Sequence, residues 1–161
     1  MKPGDHPDFF RLAPPPGTSR ESTIRLDAEG RFFHDGVRIE HPALEAALHS
    51  WISRHPDDGR YILTNGYDWT YFQVDDVPYF VRSIRIEKDR IDLVLSDATV
   101  EALDPTTLRV GNGDALYTKV KGGAFDAKFS RHAQNELAPA LREDEEGNVV
   151  LEVGGSVFRI A

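Results

Sequence analysis

Aromatic and arginine side chains concentrated between positions 67 and 85 could form a ligand-binding surface. The six residues are Tyr67, Trp69, Tyr71, Tyr79, Arg82 and Arg85. The first three alternate along one predicted strand, so they share one face of it. Aromatic rings supply rigid contact area with polar tips, and an arginine can hold an anionic group through two hydrogen bonds. We take these six residues as a candidate ligand-binding site. The structural alternative is that the rings form a second small core.

The six histidines are a second set of side chains that could do chemistry, because histidine can bind a metal ion. No two of them have the spacing that places two ligands on one helix face, and there is no H-E-x-x-H motif. His34, His41 and His132 flank similar hairpin–helix junctions, so the fold could bring them together. Surface and capping roles explain them more simply. We predict no metal ion and no other cofactor.

No sequence motif indicates an enzyme. The adjacent carboxylates at 57–58 and 75–76 lie in predicted turns and lack the spacing of a Ca²⁺ loop. Gly111 and Gly113 resemble the start of a dinucleotide loop, but Leu116 stands where a third glycine is needed. The G-x-S-x-G motif of serine hydrolases is absent. We predict no catalytic residue and favour a non-enzymatic protein. An unrecognised hydrolase using dispersed His and Asp side chains is the alternative.

The composition is typical of a globular protein in a reducing compartment. The 161 residues are 40% apolar and 29% charged, which indicates one domain or two small subdomains. The absence of cysteine favours a cytoplasmic location. A net charge of −8 argues against nucleic-acid binding and against docking on anionic membranes. We expect no membrane span and no secretory signal.

The candidate site lies in the segment Gly59–Ile86, which predicts three consecutive strands. The predicted bounds are Arg60–Thr64, Asp68–Val74 and Pro78–Ile86. The Asn-Gly pair between the first two strands is a strong hairpin signal. The middle strand is unusual because both of its faces carry apolar groups. Such a strand is either covered on both sides or offers one aromatic face to a partner.

Two helices are predicted, each after a hairpin. Asp35-Gly36 predicts a type I′ turn, and His41-Pro42 then opens the first helix. The periodicity of this helix predicts a buried stripe formed by Leu44, Leu48, Trp51 and Ile52. Ser130 caps the second helix, and Pro139 kinks or ends it. The segment Ala98–Leu103 fits either a helical turn or a strand.

The two halves of the chain repeat the same order of elements. In each half, a glycine-turn hairpin leads to a helix, then to an acidic turn ending in glycine, then to a second hairpin. The sequence therefore predicts an α+β protein with two ββαββ-like units, mainly antiparallel sheets and one principal helix in each unit. We predict a first repeat at 22–90 and a second at 91–161.

A proline-rich segment, residues 1–21, precedes the repeats. It contains half of the ten prolines, so we expect a flexible arm. Its one apolar patch is Phe9-Phe10, followed by Arg11 and Leu12. The patch either packs on the surface of the domain or serves as a docking segment for another protein.

Three segments resemble a bacterial family of uncharacterised proteins, domain of unknown function 1285. They read RFFHDGVRI, GRYILTNGYDWTYFQVDDVPYF and LYTKVKGGAFDAKFSRHA. The resemblance extends over about Ile24–Ile160 and is most specific at Gln73–Phe80, with its V-D-D-x-P-Y-F pattern. It implies an α+β protein with a repeated strand–helix–strand motif and no established activity. It also suggests a regulatory or signalling role through a ligand in a cleft between the repeats. The chain departs from the family pattern at Tyr67-Asp68-Trp69.

We therefore expect a non-enzymatic regulatory or ligand-binding module of the bacterial cytoplasm. Its partner would be an unidentified small molecule or protein, and neither nucleic acid nor a membrane. The alternative is a protein-interaction adaptor or a homo-oligomer that uses exposed strand edges and the arm.

Overall fold

The computed structural model describes residues 1–161 and shows an α+β protein built mostly of strands. The chain divides into two compact units, unit 1 (Met1–Asp76) and unit 2 (Val77–Ala161). Each unit has one α-helix, and its sheets are mainly antiparallel. Neither helix is long and apolar enough to cross a membrane.

Unit 1 contains seven strands and one α-helix. In chain order these are β1 (Arg25–Leu26), β2 (Phe32–His34), β3 (Val37–Arg38), α1 (Pro42–Ser50), β4 (Ile52–Arg54), β5 (Tyr61–Thr64), β6 (Trp69–Tyr71) and β7 (Gln73–Val74). One sheet has the order β3-β2-β1-β7, and the other is the antiparallel meander β4-β5-β6. The parallel pairing of β1 with β7 joins residues far apart in sequence.

The predicted middle strand, Asp68–Val74, is divided between the two sheets of unit 1. β6 pairs with β5, whereas β7 pairs with β1. Phe72, between the two pieces, is buried. The apolar groups on both faces of this segment are therefore explained by a change of sheet, because each piece packs in a different layer.

The first hairpin and the first helix begin as predicted. Asp35 and Gly36 have φ values of 52° and 78°, as a type I′ turn requires. His41 caps α1, since its Nδ1 accepts a hydrogen bond of 3.2 Å from the Leu44 backbone N–H. Pro42 occupies the first helical position, where its missing N–H costs nothing.

The predicted apolar stripe of α1 is only partly correct. The helix ends at Ser50, because Ile52 pairs with Leu63 as the first residue of β4. Leu48 is buried, but Leu44 is 43% exposed. His49, which the helical periodicity left outside the stripe, is only 2% exposed and lies with its ring 4.8 Å from that of Phe32. The pairing of β4 with β5 therefore overrides the helical pattern.

The proline-rich arm lies against unit 1. It contains two short 3-10 helices, Pro3–Asp5 and Phe9–Arg11. Phe9 is 7% exposed and packs with Ile62 and Trp69. Of the two alternatives for the Phe9-Phe10 patch, the structure shows packing on the chain's own surface.

Unit 2 contains nine strands and one α-helix. In chain order these are β8 (Tyr79–Ile86), β9 (Ile91–Leu95), β10 (Val100–Ala102), β11 (Arg109–Val110), β12 (Leu116–Val120), β13 (Phe125–Phe129), α2 (Arg131–Leu137), β14 (Leu141–Glu143), β15 (Val149–Val153) and β16 (Ser156–Arg159). A six-stranded sheet has the order β10-β9-β8-β13-β12-β11, with β13 parallel to β8. β14, β15 and β16 form a three-stranded antiparallel sheet.

The ends of α2 follow the sequence prediction. Ser130 Oγ accepts a hydrogen bond of 3.1 Å from the Ala133 backbone N–H, as an N-cap does. Ala133 and Leu137 face the core and are fully buried. Pro139 lies in a 3-10 turn directly after the helix. The undecided segment Ala98–Leu103 contains strand β10.

Each helix is followed directly by a three-stranded antiparallel sheet, where the sequence predicted a two-stranded hairpin. β4 and β14 are short and begin within a few residues of a helix end, so local periodicity does not separate them from the helix. The order in unit 1 is β2-β3-α1-β4-β5-β6, and in unit 2 it is β12-β13-α2-β14-β15-β16.

Candidate functional site

A cavity opens beside Trp69 in unit 1. Its volume is about 160 Å³. It is lined by Ile24, Leu48, Trp51, Leu63, Asn65, Asp68, Trp69 and Thr70. Since the chain has only two tryptophans, both of its indole rings belong to residues of this lining. We call this feature the tryptophan cavity.

The apolar part of the tryptophan cavity comes from α1 and β5. Leu48 lies in the last turn of α1, and Leu63 is the third residue of β5. Both are buried. Successive residues of a strand point to opposite faces, so Leu63 faces away from its neighbour Ile62, which packs under the arm. The Leu63 face of the β4-β5-β6 sheet therefore contributes to the cavity, and the Ile62 face carries the arm; Trp69, on the Ile62 face, also belongs to the cavity lining.

The polar part comes from the turn between β5 and β6. Asp68 Oδ1 accepts hydrogen bonds from the Trp69 backbone N–H at 2.9 Å and from Arg20 Nη1 at 2.6 Å. The backbone hydrogen bond lowers the pKa of Asp68, and the Arg20 charge adds to this effect against the opposing effect of burial. Asp68 is therefore ionised at neutral pH and already paired. Thr70 Oγ1 donates a hydrogen bond of 2.8 Å to the Arg20 carbonyl.

Asn65 belongs to the cavity lining, and the turn fixes the orientation of its side-chain amide. Its Oδ1 accepts hydrogen bonds from the backbone N–H groups of Tyr67 at 2.8 Å and Asp68 at 2.9 Å. These bonds fix the orientation of the amide and occupy its oxygen, which leaves the NH₂ group as the part that can donate to a ligand. The cavity thus combines apolar walls with one oriented donor and a paired carboxylate.

The candidate residues of unit 1 lie in two environments, because Trp69 and Tyr71 pack together with ring centroids 5.0 Å apart, whereas Tyr67 is exposed. Tyr67 is 65% exposed in the β5–β6 turn, with Lys2 Nζ 5.6 Å from its ring centroid. Trp69 is 6% exposed. Tyr71 is half-buried, and its hydroxyl donates a hydrogen bond of 2.7 Å to Asp58 Oδ2. Of the three, only Trp69 lines the cavity.

The candidate residues of unit 2 all lie on β8. Tyr79 is buried, and its ring centroid is 5.2 Å from that of Phe125. Burial, with the nearby Asp97 and Glu101 charges, raises the pKa of Tyr79 to about 12. Arg82 is exposed at a register shift between β8 and β9, and Arg85 is exposed 3.8 Å from Glu87. These three side chains do not share one environment.

Sequence reasoning missed most of the cavity lining. Leu48 and Trp51 were identified, but as part of a core stripe. Asn65 was identified only as a turn residue. Ile24 precedes β1 and comes from a different part of the sequence, so no local pattern links it to the others.

Unit 2 has a larger depression. Its volume is about 260 Å³. It is lined by Ile86, Pro139, Ala140, Leu141, Arg142 and Glu152. The charges of Arg142 and Glu152 lie 3.3 Å apart and satisfy each other. We prefer the tryptophan cavity as the candidate site because three of its lining residues, Leu48, Leu63 and Trp69, are buried, whereas none of the residues lining the unit 2 depression is.

The histidines are dispersed. His41 caps α1, His132 lies 3.2 Å from Glu136 on the same helix, and His34 is exposed beside Asp35. No group of three or more His, Asp or Glu side chains is arranged to hold a metal ion.

Two solved structures share this architecture. A DUF1285 family protein from Silicibacter pomeroyi superposes with a TM-score of 0.69 at 18% identity, over 87% of this chain and 80% of that chain. A DUF1285 family protein from Shewanella baltica superposes with a TM-score of 0.57 at 19% identity, over 75% of this chain and 94% of that chain. The chain has the DUF1285 fold. The resemblance noted in the sequence is thus confirmed by structure.

Similarity at this level of identity extends to the fold and to no residue role. No protein-family model matches the sequence, and no curated protein is significantly similar to it. The function must therefore be argued from the side chains of this chain.

Proposed function

We propose that the protein is a non-enzymatic ligand-binding module whose tryptophan cavity takes a small, flat, largely apolar molecule with one hydrogen-bond acceptor. The observation that carries the proposal is the cavity itself. Buried apolar side chains and two tryptophans converge there with the oriented amide of Asn65. Ligand sites typically combine apolar walls with a few placed polar groups.

The volume sets the size of the ligand. An apolar cavity of about 150 Å³ is large enough to bind benzene. The tryptophan cavity, at about 160 Å³, therefore suits a single aromatic ring and not a nucleotide or a peptide. A planar ring would also meet the two indoles in the offset or edge-on arrangements that aromatic groups prefer.

The charges at the cavity set the chemistry of the ligand. Asp68 is ionised and paired with Arg20, so the pair has no net charge and gives little attraction for either an anionic or a cationic group. A neutral acceptor, such as a carbonyl or hydroxyl oxygen, fits the Asn65 amide nitrogen. The proposal therefore favours neutral aromatic ligands over aromatic acids and amines.

A regulatory role in the bacterial cytoplasm completes the proposal. Ligand occupancy would fix β5, β6 and the end of α1 relative to one another, since all three contribute to the cavity. The same order of hairpin, helix and three strands in both units supports the proposal that the fold arose by duplication.

A thermal-shift screen with benzene, benzyl alcohol, benzoate and benzylamine tests the proposal. At a ligand concentration about 100-fold above Kd, binding to the native state adds about 2.7 kcal/mol of stability, which raises Tm by about 5–10 °C. We expect benzyl alcohol to give the largest shift. Ile24→Phe should fill the cavity and abolish the shift. Ile86→Phe, the same change at the unit 2 depression, should leave it intact. Equal shifts for both variants, or none with the wild type, would refute the proposal.

A further inference from the structure

The arm is bound to unit 1 in the manner of a peptide ligand. It covers the face of the β4-β5-β6 sheet that carries Ile62, Trp69 and Tyr71. His55 belongs to the same surface, since its ring lies 5.1 Å from that of Trp69 and 5.8 Å from that of Tyr71. We call this surface the arm face.

Three consecutive residues of the arm make specific contacts with the arm face. Phe9 is buried against Ile62 and Trp69. The carbonyl of Phe10 accepts a hydrogen bond of 3.0 Å from His55 Nε2. Arg11 binds Asp57 through two nitrogens, with its Nη2 2.7 Å from Oδ1 and its Nε 3.0 Å from Oδ2. The arm face therefore recognises an aromatic side chain, a backbone carbonyl and a guanidinium in sequence.

His55 is oriented for this recognition by its neighbours. Its Nδ1 accepts a hydrogen bond of 3.1 Å from the Asp57 backbone N–H, so Nε2 carries the proton that is donated to Phe10. The side chain is buried between aromatic rings. The oriented N–H of His55 and the nearby Asp57 carboxylate together give the arm face a hydrogen-bond donor and an anion, as a peptide-binding surface requires.

The arm is tethered by an exposed linker. Its residues, Leu12–Ser19, are almost all exposed, and their backbone hydrogen bonds are local. Pro16-Gly17 forms a turn in which Gly17 has a φ of 79°. The Thr18 backbone N–H donates a hydrogen bond of 3.1 Å to the Pro15 carbonyl across this turn. Detaching the arm therefore breaks its contacts with the arm face and the hydrogen bond of 2.7 Å from Gly4 N to the Gly66 carbonyl, but it breaks no backbone hydrogen bond between the linker and the rest of the chain.

We propose that the arm face is a docking surface for a partner protein's segment in which two consecutive aromatic residues precede an arginine, and that the arm occupies it until such a partner arrives. A segment of this chemistry reproduces the contacts of Phe9, Phe10 and Arg11. A second copy of this chain is the weaker occupant, because a short tether gives the chain's own arm an effective concentration of about 1 mM.

Trp69 offers a hydrogen bond that would let a partner segment bind the arm face more tightly than the arm does. Its indole Nε1 is buried and has no hydrogen-bond partner. A buried hydrogen-bond donor without an acceptor is unfavourable, and the docked arm does not supply an acceptor to the Trp69 indole N–H. A partner segment that supplies an acceptor to Trp69 would bind more tightly than the arm does.

Fluorescence anisotropy with a labelled peptide of residues 5–12 tests this proposal on the full-length chain. The wild type should bind the peptide weakly, since its own arm competes. Phe9→Ala in the protein should tighten peptide binding about tenfold or more, because the arm loses its buried anchor. Arg11→Ala should tighten it about two- to fivefold, since the lost ion pair is half-exposed. Arg38→Ala, an exposed arginine outside the arm face, should change nothing.

Three results would overturn the proposal. The first is equal peptide affinity for the wild type and both arm variants. Arg11→Ala keeps this comparison valid even if Phe9→Ala unfolds the protein, because Arg11 lies at the surface. The second is binding that survives a Phe9→Ala change in the peptide. The third is a dimer at micromolar concentration in sedimentation velocity that Phe9→Ala converts to a monomer, which would assign the arm face to a second copy. The Ile24→Phe variant should still bind the peptide, because Ile24 lines the cavity and not the arm face. The docking proposal can therefore fail or succeed independently of the cavity proposal.

Discussion

Replacing Asp27 with alanine should destabilise unit 1 through the turn between β1 and β2. The Asp27 side chain is buried and accepts three hydrogen bonds. Oδ1 accepts from the backbone N–H groups of Glu29 at 3.0 Å and Arg31 at 2.9 Å, and Oδ2 accepts from Arg31 Nε at 2.8 Å. Burial alone would raise the pKa of Asp27, but these hydrogen bonds outweigh it and lower the pKa.

The magnitude follows from the three hydrogen bonds. A hydrogen bond to a charged group contributes about 1.5–3 kcal/mol, and the low end applies here because water can reach the vacated turn. The Arg31 side chain is 44% exposed, so its ion pair adds under about 1 kcal/mol. We expect a loss of about 3 kcal/mol for Asp27→Ala. Asp27→Asn keeps an acceptor for both backbone groups and should lose only about 1 kcal/mol.

Urea denaturation at pH 7 and pH 3 measures this effect, with Asp144→Ala as the matched control. Asp144 accepts the same two backbone hydrogen bonds, from Glu146 and Asn148, but it is only half-buried and accepts no hydrogen bond from an arginine side chain. Its replacement should cost clearly less. Because the folded pKa of Asp27 is lowered, its contribution is complete above the unfolded value of about 3.9 and is lost as the pH falls through the folded value. The reasoning is refuted if the two alanine variants are equally stable, or if the loss for Asp27→Ala is as large at pH 3 as at pH 7.

Three further predictions concern the arm, a buried charge and alkaline pH. Gly66→Ala should destabilise by the same roughly 1–2 kcal/mol as Gly36→Ala in urea titrations, because both glycines have positive φ and the flexible Lys2 side chain, whose Cδ would lie 2.7 Å from the new Cβ, can move away; a loss for Gly66→Ala well above that for Gly36→Ala would contradict this. Lys121→Met should cost about 3 kcal/mol by the same assay, since it removes the ammonium 2.7 Å from Asp97, whose side chain is 9% exposed; a loss under 1 kcal/mol would contradict this. Because the pKa of Tyr79 is raised to about 12, the stability it contributes is complete below pH 10 and declines as the pH rises toward 12. Tyr79→Phe should flatten the alkaline decline of Tm, and an unchanged decline would show that another group causes it.

Local signals in the sequence were sufficient for turns and helix caps. Asp35-Gly36 requires positive φ at both positions, and few residue pairs tolerate that conformation. His41-Pro42 and Ser130 satisfy backbone groups within their own first helical turn. These predictions depend on residues a few positions apart, so the sequence contains what is needed to make them.

Non-local pairing could not be predicted from the same signals. The division of Asp68–Val74 into β6 and β7 depends on β1, which lies about fifty residues earlier. The early end of α1 depends on the pairing of Ile52 with Leu63. Both outcomes are decided by which strands find each other, and periodicity within one segment does not record that choice.

The candidate site was predicted in part for the same reason. Trp69 was identified by its place in an aromatic strand, and it does line the cavity. Tyr71 lies on the same face of the sheet as Trp69 and packs with it against the Phe9 and Phe10 cluster, but it does not line the cavity. The arm comes from the other end of the unit, so the alternation of Trp69 and Tyr71 could not show that their shared face is occupied.

The tryptophan cavity is tested most directly by ¹⁹F NMR of the protein labelled with 5-fluorotryptophan. The chain has two tryptophans, Trp51 and Trp69, so the spectrum has two resonances and both report on the cavity. Saturation with benzyl alcohol should shift both resonances in the wild type and in Ile86→Phe, and neither in Ile24→Phe. Resonances that stay in place while benzyl alcohol raises Tm would show that the ligand binds elsewhere, and would contradict the assignment of this cavity as the ligand site.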